Sequence, residues 1–139
     1  MTIPIYAAAT GAIMIILQGL LMVTVGAYRA RSGINLGIGD DPVLERKIRR
    51  HGNLAENAAL FVVVLALAEM TIVPNHIVKI LAIIFIVARF SHAIALSTEA
   101  GSQGSDGGKF FVVARVIGVF GSLISFLALG GYILYGLVG

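Results

Sequence analysis

Four long apolar runs separated by polar interruptions organise the chain. Residues 1–28 carry no charged side chain, enough to cross about 30 Å of hydrocarbon as a helix. The stretch "RARSGINLGIGDDPVLERKIRR" then breaks the run. Within it, Asp41 followed by Pro42 makes a helix start: a capping acceptor, then a residue whose missing N–H costs nothing in the first turn. The second helix is therefore expected to begin near Pro42, outside the membrane, to enter it around Gly52, and to end before Pro74. A third span is read from about Asn75 to Ser97 and a fourth from about Lys109 to Leu137. The Gly- and Ser-rich "TEAGSQGSDGG" between them is a flexible turn. No internal repeat is present. Helices joined by such connections predict an up-down four-helix bundle.

Composition makes the setting a membrane. Of 139 residues, 58% are hydrophobic and 12% charged, with a mean hydropathy of +0.98, whereas soluble domains are about a quarter charged. The fold class is an all-α integral membrane protein with a single four-span domain over residues 1–139. A cleaved signal peptide fits poorly, because "MTIPIYAAAT" lacks a basic leader and the apolar run is too long. Cysteine is absent, which removes disulfides, thiolate metal sites and a cysteine nucleophile. The net charge of +3 matters less than its distribution. The first connection and its helix ends hold Arg29, Arg31, Arg46, Lys47, Arg49 and Arg50; the second has only Lys79 nearby, and the third has Lys109. Positive residues stay on the cytoplasmic side, so the first and third connections should face the cytoplasm and both termini the opposite side. The same rule explains the basic patch without nucleic acid.

Several ionisable groups nevertheless fall inside spans. Arg49, Asn53 and Glu56 are spaced i, i+4, i+7 and share a helix face; Glu56 lies about 9 Å beyond Arg50. The third helix carries Arg89 and His92 on one face, and the fourth places Arg115 about 9 Å beyond Lys109. Arg29 and Arg31 close the first helix. Every helix thus brings polar or cationic groups to the same third of the bilayer, and nine of the ten Lys and Arg residues, all but Lys79, fall on that side. Charge at membrane depth is costly and faces a bundle interior or a cavity. Two readings stand: a structural network in which Glu56 pairs with Arg49 or Arg89 and Asn53 bridges helices, and a pocket with surplus positive charge from Arg49, Arg89 and Arg115 that takes an anionic ligand.

At these residues the chain resembles a known family. "ERKIRRHGNLAEN", Glu45 to Asn57, is similar to the E-R-x-x-R-x-H-x-N-x-x-E signature of the MAPEG proteins (membrane-associated proteins in eicosanoid and glutathione metabolism), matched by Glu45, Arg46, Arg49, His51, Asn53 and Glu56. Arg89 on the third helix, Arg115 on the fourth and the four-span layout extend the resemblance over the chain. It implies a homotrimer in a membrane, here expected to be a bacterial inner membrane, with glutathione as co-substrate held between subunits on the cytoplasmic side. A small lipophilic substrate would arrive from the lipid. By resemblance, Arg29, Arg49, Asn53, Glu56 and His92 bind glutathione, Glu56 meeting its ammonium group, and Arg115 is catalytic. A nearby cation favours a thiolate and lowers the thiol pKa.

The sequence departs from the family pattern at instructive positions. Leu96 stands where some members carry a tyrosine one turn after the residue matching His92, and Val116 where prostaglandin E synthase has a serine after its catalytic arginine. Gly52 replaces an arginine found in some members, and Asn57 a tyrosine of the leukotriene-forming branch. Binding groups are thus retained better than hydroxyl donors. The implied function is a glutathione-dependent transferase or peroxidase acting on lipophilic electrophiles. The alternative is a non-catalytic membrane scaffold that binds lipid or another anionic metabolite. A small transporter is disfavoured, since four helices offer neither inverted repeats nor broken spans.

Other features predict no chemistry. "GINLGIGDDP" lacks the ending of a phosphate-binding loop. His51, His92 and Glu56 do not have metal-site spacing, so no metal is expected. His76 and Lys79 read as solvated, and Glu69 as an interfacial end-of-helix residue rather than a proton carrier. Gly11, Gly19, Gly26 and the pair Gly118 with Ser122 suit close helix packing in lipid.

Overall fold

The apolar runs fold as helices because, without water, each backbone N–H and C=O must be satisfied within its own segment. The structure, a computed structural model, describes residues 3–99 and 108–138. It contains α1 (Ile5–Ser32), α2 (Pro42–Met70), α3 (Asn75–Ala95) and α4 (Lys109–Val138), each long and apolar enough to cross a membrane. Most of the Gly- and Ser-rich connection read between α3 and α4 lies outside the described residues.

The helix ends follow local chemistry. Asp41 caps α2 as its position before Pro42 predicts: one carboxylate oxygen accepts from the N–H groups of Val43 at 2.8 Å and Leu44 at 3.0 Å, while the other accepts from the Tyr28 hydroxyl of α1 at 2.9 Å. The Leu44 N–H is the leading reason that the Asp41 carboxyl is held below its usual pKa. At the end of α1, Gly33 adopts a left-handed φ of 72° and donates to the Arg29 carbonyl, a C-cap that suits glycine because it has no Cβ. The third helix is shorter than its apolar pattern: it stops at Ala95, with Leu96 donating back to His92 and Ser97 to Ile94 in a closing turn.

Contacts between helices show the up-down order. The start of α1 meets the end of α2, the middle of α1 meets His51, and Tyr28 meets the start of α2. Likewise α3 and α4 pack antiparallel, their contact fixed by Gly118. A Cβ on Gly118 would lie 2.7 Å from His92 Cβ and 2.8 Å from its Cα, so only glycine admits this approach. Gly121 faces Ala88 in the same way. Gly11 packs against Val62, whereas nothing lies within 4 Å of a Cβ built at Gly19 or Gly26. The tightest pairs are α1 with α2 and α3 with α4. They join through a core in which Phe61 stacks on Phe85 at 3.9 Å between centroids, with Phe126 tilted against both. Only 22% of the most apolar window of α1 or of α4 is buried, so the remaining surface must meet lipid or other copies.

Glu69 sits at the end of α2, as the sequence suggests, but it is not an interfacial group in water. It is 5% exposed, and its carboxylate accepts from the backbone N–H groups of Tyr6 at 3.0 Å and Ala7 at 2.8 Å. The first turn of α1 follows Pro4, which provides no side-chain cap. A carboxylate from another helix satisfies two of its orphan donors and opposes the positive end of its dipole.

Candidate functional site

The end of the bundle that carries the first connection opens into a cavity of about 430 Å³ on the seam between α2 and the α3/α4 pair. Four residues expected at a site line it together: Arg49 and Asn53 from α2, His92 from α3 and Arg115 from α4. Glu45, Arg46 and Glu99 add charge at the wall, and Pro42, Leu96 and Val119 are apolar. Three arginines thus face two carboxylates, an excess of one positive charge. A cavity of this size suits a small ligand.

Spacing on α2 explains its contribution. Arg46, Arg49 and Asn53 lie at i, i+3 and i+7, one stripe of the helix. Arg49 Nε is 3.2 Å from Glu45 Oε1, and the Arg49 side chain remains 70% exposed. Such an exposed pair contributes about 0–1 kcal/mol, so it leaves the guanidinium available to a stronger anion. The Asn53 amide donates to the Arg49 carbonyl at 2.9 Å, and Asn57 repeats the bond one turn on, to the Asn53 carbonyl at 2.7 Å.

Arg89 does not line this cavity. It is 4% exposed and bonds inside the bundle. Nη2 donates to the Gly118 carbonyl at 2.9 Å and to the Ser122 hydroxyl, while Nη1 reaches the Asn53 carbonyl at 3.4 Å. The Ser122 hydroxyl donates onward to the Gly118 carbonyl at 2.7 Å. The guanidinium also lies 5.7 Å from the Phe85 ring centroid. Arg89 is therefore not the pocket cation its charge and depth predict: its two terminal nitrogens donate to main-chain and hydroxyl oxygens, while its buried Nε meets no acceptor among the described residues.

Glu56 and Arg29 also lie apart from the cavity, outside its lining. Glu56 occupies the α2 stripe about one turn beyond Asn53 and is exposed. It does not pair with Arg49, whose ion pair is with Glu45, nor with Arg89. Arg29 donates to the Ile34 carbonyl at 2.9 Å and ties down the first connection. His51 turns to α1 instead, where its Nε2 lies 2.6 Å from the Gln18 amide nitrogen. Gln18 lines a second hollow of about 450 Å³, an apolar groove between α1 and α2 bordered by Gly11, Met14, Ala58 and Val62. Among the described residues, no group of three or more His, Cys, Asp or Glu could hold a metal ion.

Sequence reasoning passed over Arg46 and Glu99 as wall residues and the Gln18–His51 contact. Arg46 carried a signal, its helical register with Arg49 and Asn53; Glu99 and Gln18 carried none, since their neighbours come from other helices. A family model, that of the MAPEG family, matches residues 3–135. No curated protein and no solved structure matches the chain.

Proposed function

We propose, from the premise that this chain belongs to the MAPEG family, that its pocket binds glutathione and presents it as a thiolate to a lipophilic electrophile. The observation that carries the reading is the convergence of Arg49, Asn53, His92 and Arg115, from three helices, on one cavity at the Lys- and Arg-rich end. Glutathione has two carboxylates and one ammonium group, and the wall matches that mixture with three arginines and two carboxylates. Arg49 and Asn53 position the peptide. Arg115 sits beside the sulfur, where its positive charge favours the thiolate over the thiol. The thiol proton leaves to water. The thiolate then attacks an electrophilic carbon; the S–C bond forms as the leaving group departs with its bonding pair. With a hydroperoxide, sulfur attacks the O–O bond, releasing an alcohol and a sulfenic acid that a second glutathione thiol converts to disulfide and water.

In this reading the protein is a homotrimer, with the pocket end facing the cytoplasm. An exposed carboxylate on a membrane helix needs a polar partner, and Glu56 finds one at the junction with a neighbouring copy, where it meets the glutathione ammonium. Arg29 joins the site from the first connection if it releases Ile34. Calorimetric titration of glutathione into the purified full-length protein, beside a conjugation assay with an aromatic halide, tests the proposal. Saturable heat and product are expected; absence of binding at millimolar glutathione refutes it.

Leu96 favours a second reading. It lines the pocket where some relatives have a tyrosine, leaving no hydroxyl there to donate to sulfur. The protein is then a scaffold that holds glutathione, a lipid or another anionic metabolite without turnover. Binding without product in the paired assays distinguishes it.

A further inference from the structure

We infer that Arg89 is the positioning residue of this pocket, a buried strut that sets the spacing of Asn53, His92 and Arg115 without touching the ligand. The inference rests on the glutathione reading for its ligand, but its geometry does not. Arg89 lies about 9 Å inside the end of α3, where an isolated guanidinium would be strongly unfavourable. Its bonds run to two other helices: to the Asn53 carbonyl on α2 and to the Gly118 carbonyl and Ser122 hydroxyl on α4. Each partner is tied to a wall residue. Asn53 is itself one. Gly118 is three residues after Arg115 and carries the contact that seats His92 against α4. His92 in turn is three residues after Arg89 on the same face of α3.

The planar guanidinium matters here. Its fork can serve α2 and α4 at once, whereas a lysine ammonium is a compact charge on a flexible stem. The bond to Asn53 is the long one, 3.4 Å against 2.9 Å to Gly118. Arg89 is therefore anchored on α4 and reaches out to α2, so a weakened anchor should be felt across the seam, where the pocket lies.

The test uses the full-length protein in lipid nanodiscs with Ser122→Ala, which removes one anchor and no charge, and Arg89→Lys, which keeps the charge and loses the fork. Backbone hydrogen exchange, glutathione affinity and the pH midpoint of thiolate formation by bound glutathione, followed by ultraviolet difference absorbance, are measured together. Without ligand, Ser122→Ala should speed exchange in residues 45–57 and 109–118 and leave residues 64–78 unchanged. Glutathione should bind on the order of fivefold more weakly, the effect of one lost hydrogen bond. The thiolate midpoint should rise towards that of free glutathione as Arg115 moves off the sulfur, a change that a smaller folded fraction does not produce. Arg89→Lys should do the same, more strongly.

Wild-type affinity and midpoint in Ser122→Ala overturn the proposal. So does a loss confined to Arg89→Lys with Ser122→Ala silent, which puts the guanidinium on the ligand itself. If the wild-type protein binds no glutathione, the ligand reading fails by itself; the strut is then judged on exchange alone, and unchanged exchange in both segments overturns it too.

Discussion

Replacing Glu69 by alanine should loosen the end of the bundle remote from the pocket. Glu69 is 5% exposed, and its carboxylate accepts from two backbone N–H groups, those of Tyr6 and Ala7. Removing it strands the buried Ala7 N–H, at about 1–3 kcal/mol, and the partly buried Tyr6 N–H, at a smaller cost, and forfeits a favourable charge–dipole interaction of about 0.3–2 kcal/mol. The opposing contribution is relief of a buried carboxylate's desolvation. The balance is a net loss of about 2–4 kcal/mol for Glu69→Ala, by the same reasoning. Glu69→Gln keeps the volume and one carbonyl acceptor but turns an amide N–H₂ towards the second donor, so it should lose roughly half as much. Reversible unfolding in mixed micelles, followed by circular dichroism, gives both values. Hydrogen exchange localises the damage to the Tyr6 and Ala7 amides. Sixteen residues of α2, roughly 24 Å, separate Glu69 from Asn53, so glutathione affinity should be untouched. Two variants within about 0.5 kcal/mol of wild type, the scatter of neutral surface changes, would refute the capping account.

Three further outcomes are expected. Gly118→Ala places a methyl group 2.7–2.9 Å from three atoms of His92; forcing α3 and α4 apart should cost about 1–3 kcal/mol, and calorimetry should show weakened glutathione binding alongside lower unfolding stability. Arg115→Gln should reduce conjugation by about 10²–10³-fold, as when a group that stabilises developing or resting anionic charge is removed, with a smaller change in glutathione affinity. Because the folded pKa of Asp41 is depressed below its ordinary 3.8, its charged form contributes stability that is fully present above that value and lost as pH falls through the folded pKa. Melting curves should therefore show an advantage of wild type over Asp41→Asn at neutral pH that disappears under acid below the ordinary carboxylate value, since asparagine caps a helix without titrating.

The spans were legible because crossing a membrane demands a length of apolar sequence that nothing else requires, and the start of α2 was legible because Asp41 and Pro42 act on their own neighbours. The pocket wall was partly legible for a related reason: Arg49 and Asn53 share a stripe on one helix, and His92 and Arg115 fall at a similar depth on two others. Register gives direction and depth, but not the partner. Arg89 has the same kind of sequence signal as Arg115, yet it turns to carbonyl oxygens, which every residue owns and which leave no mark in the sequence. Glu69 was obscure for the same reason, since its partners are the N–H groups of Tyr6 and Ala7. Glu56 shares its stripe with Asn53 but lies past the rim of the cavity, a matter of a single turn that periodicity does not resolve. The end of α3 at Ala95 was equally hidden, because Leu96 is as apolar as the helix it terminates.

The cavity divides two closely packed helix pairs, and its walls belong to both. Any molecule that fills it contributes to the cohesion of the bundle: at a hundred times its dissociation constant it adds about 2.7 kcal/mol to folding stability. An occupant is thus mortar as well as cargo, and a chain deprived of it should come apart first along that joint.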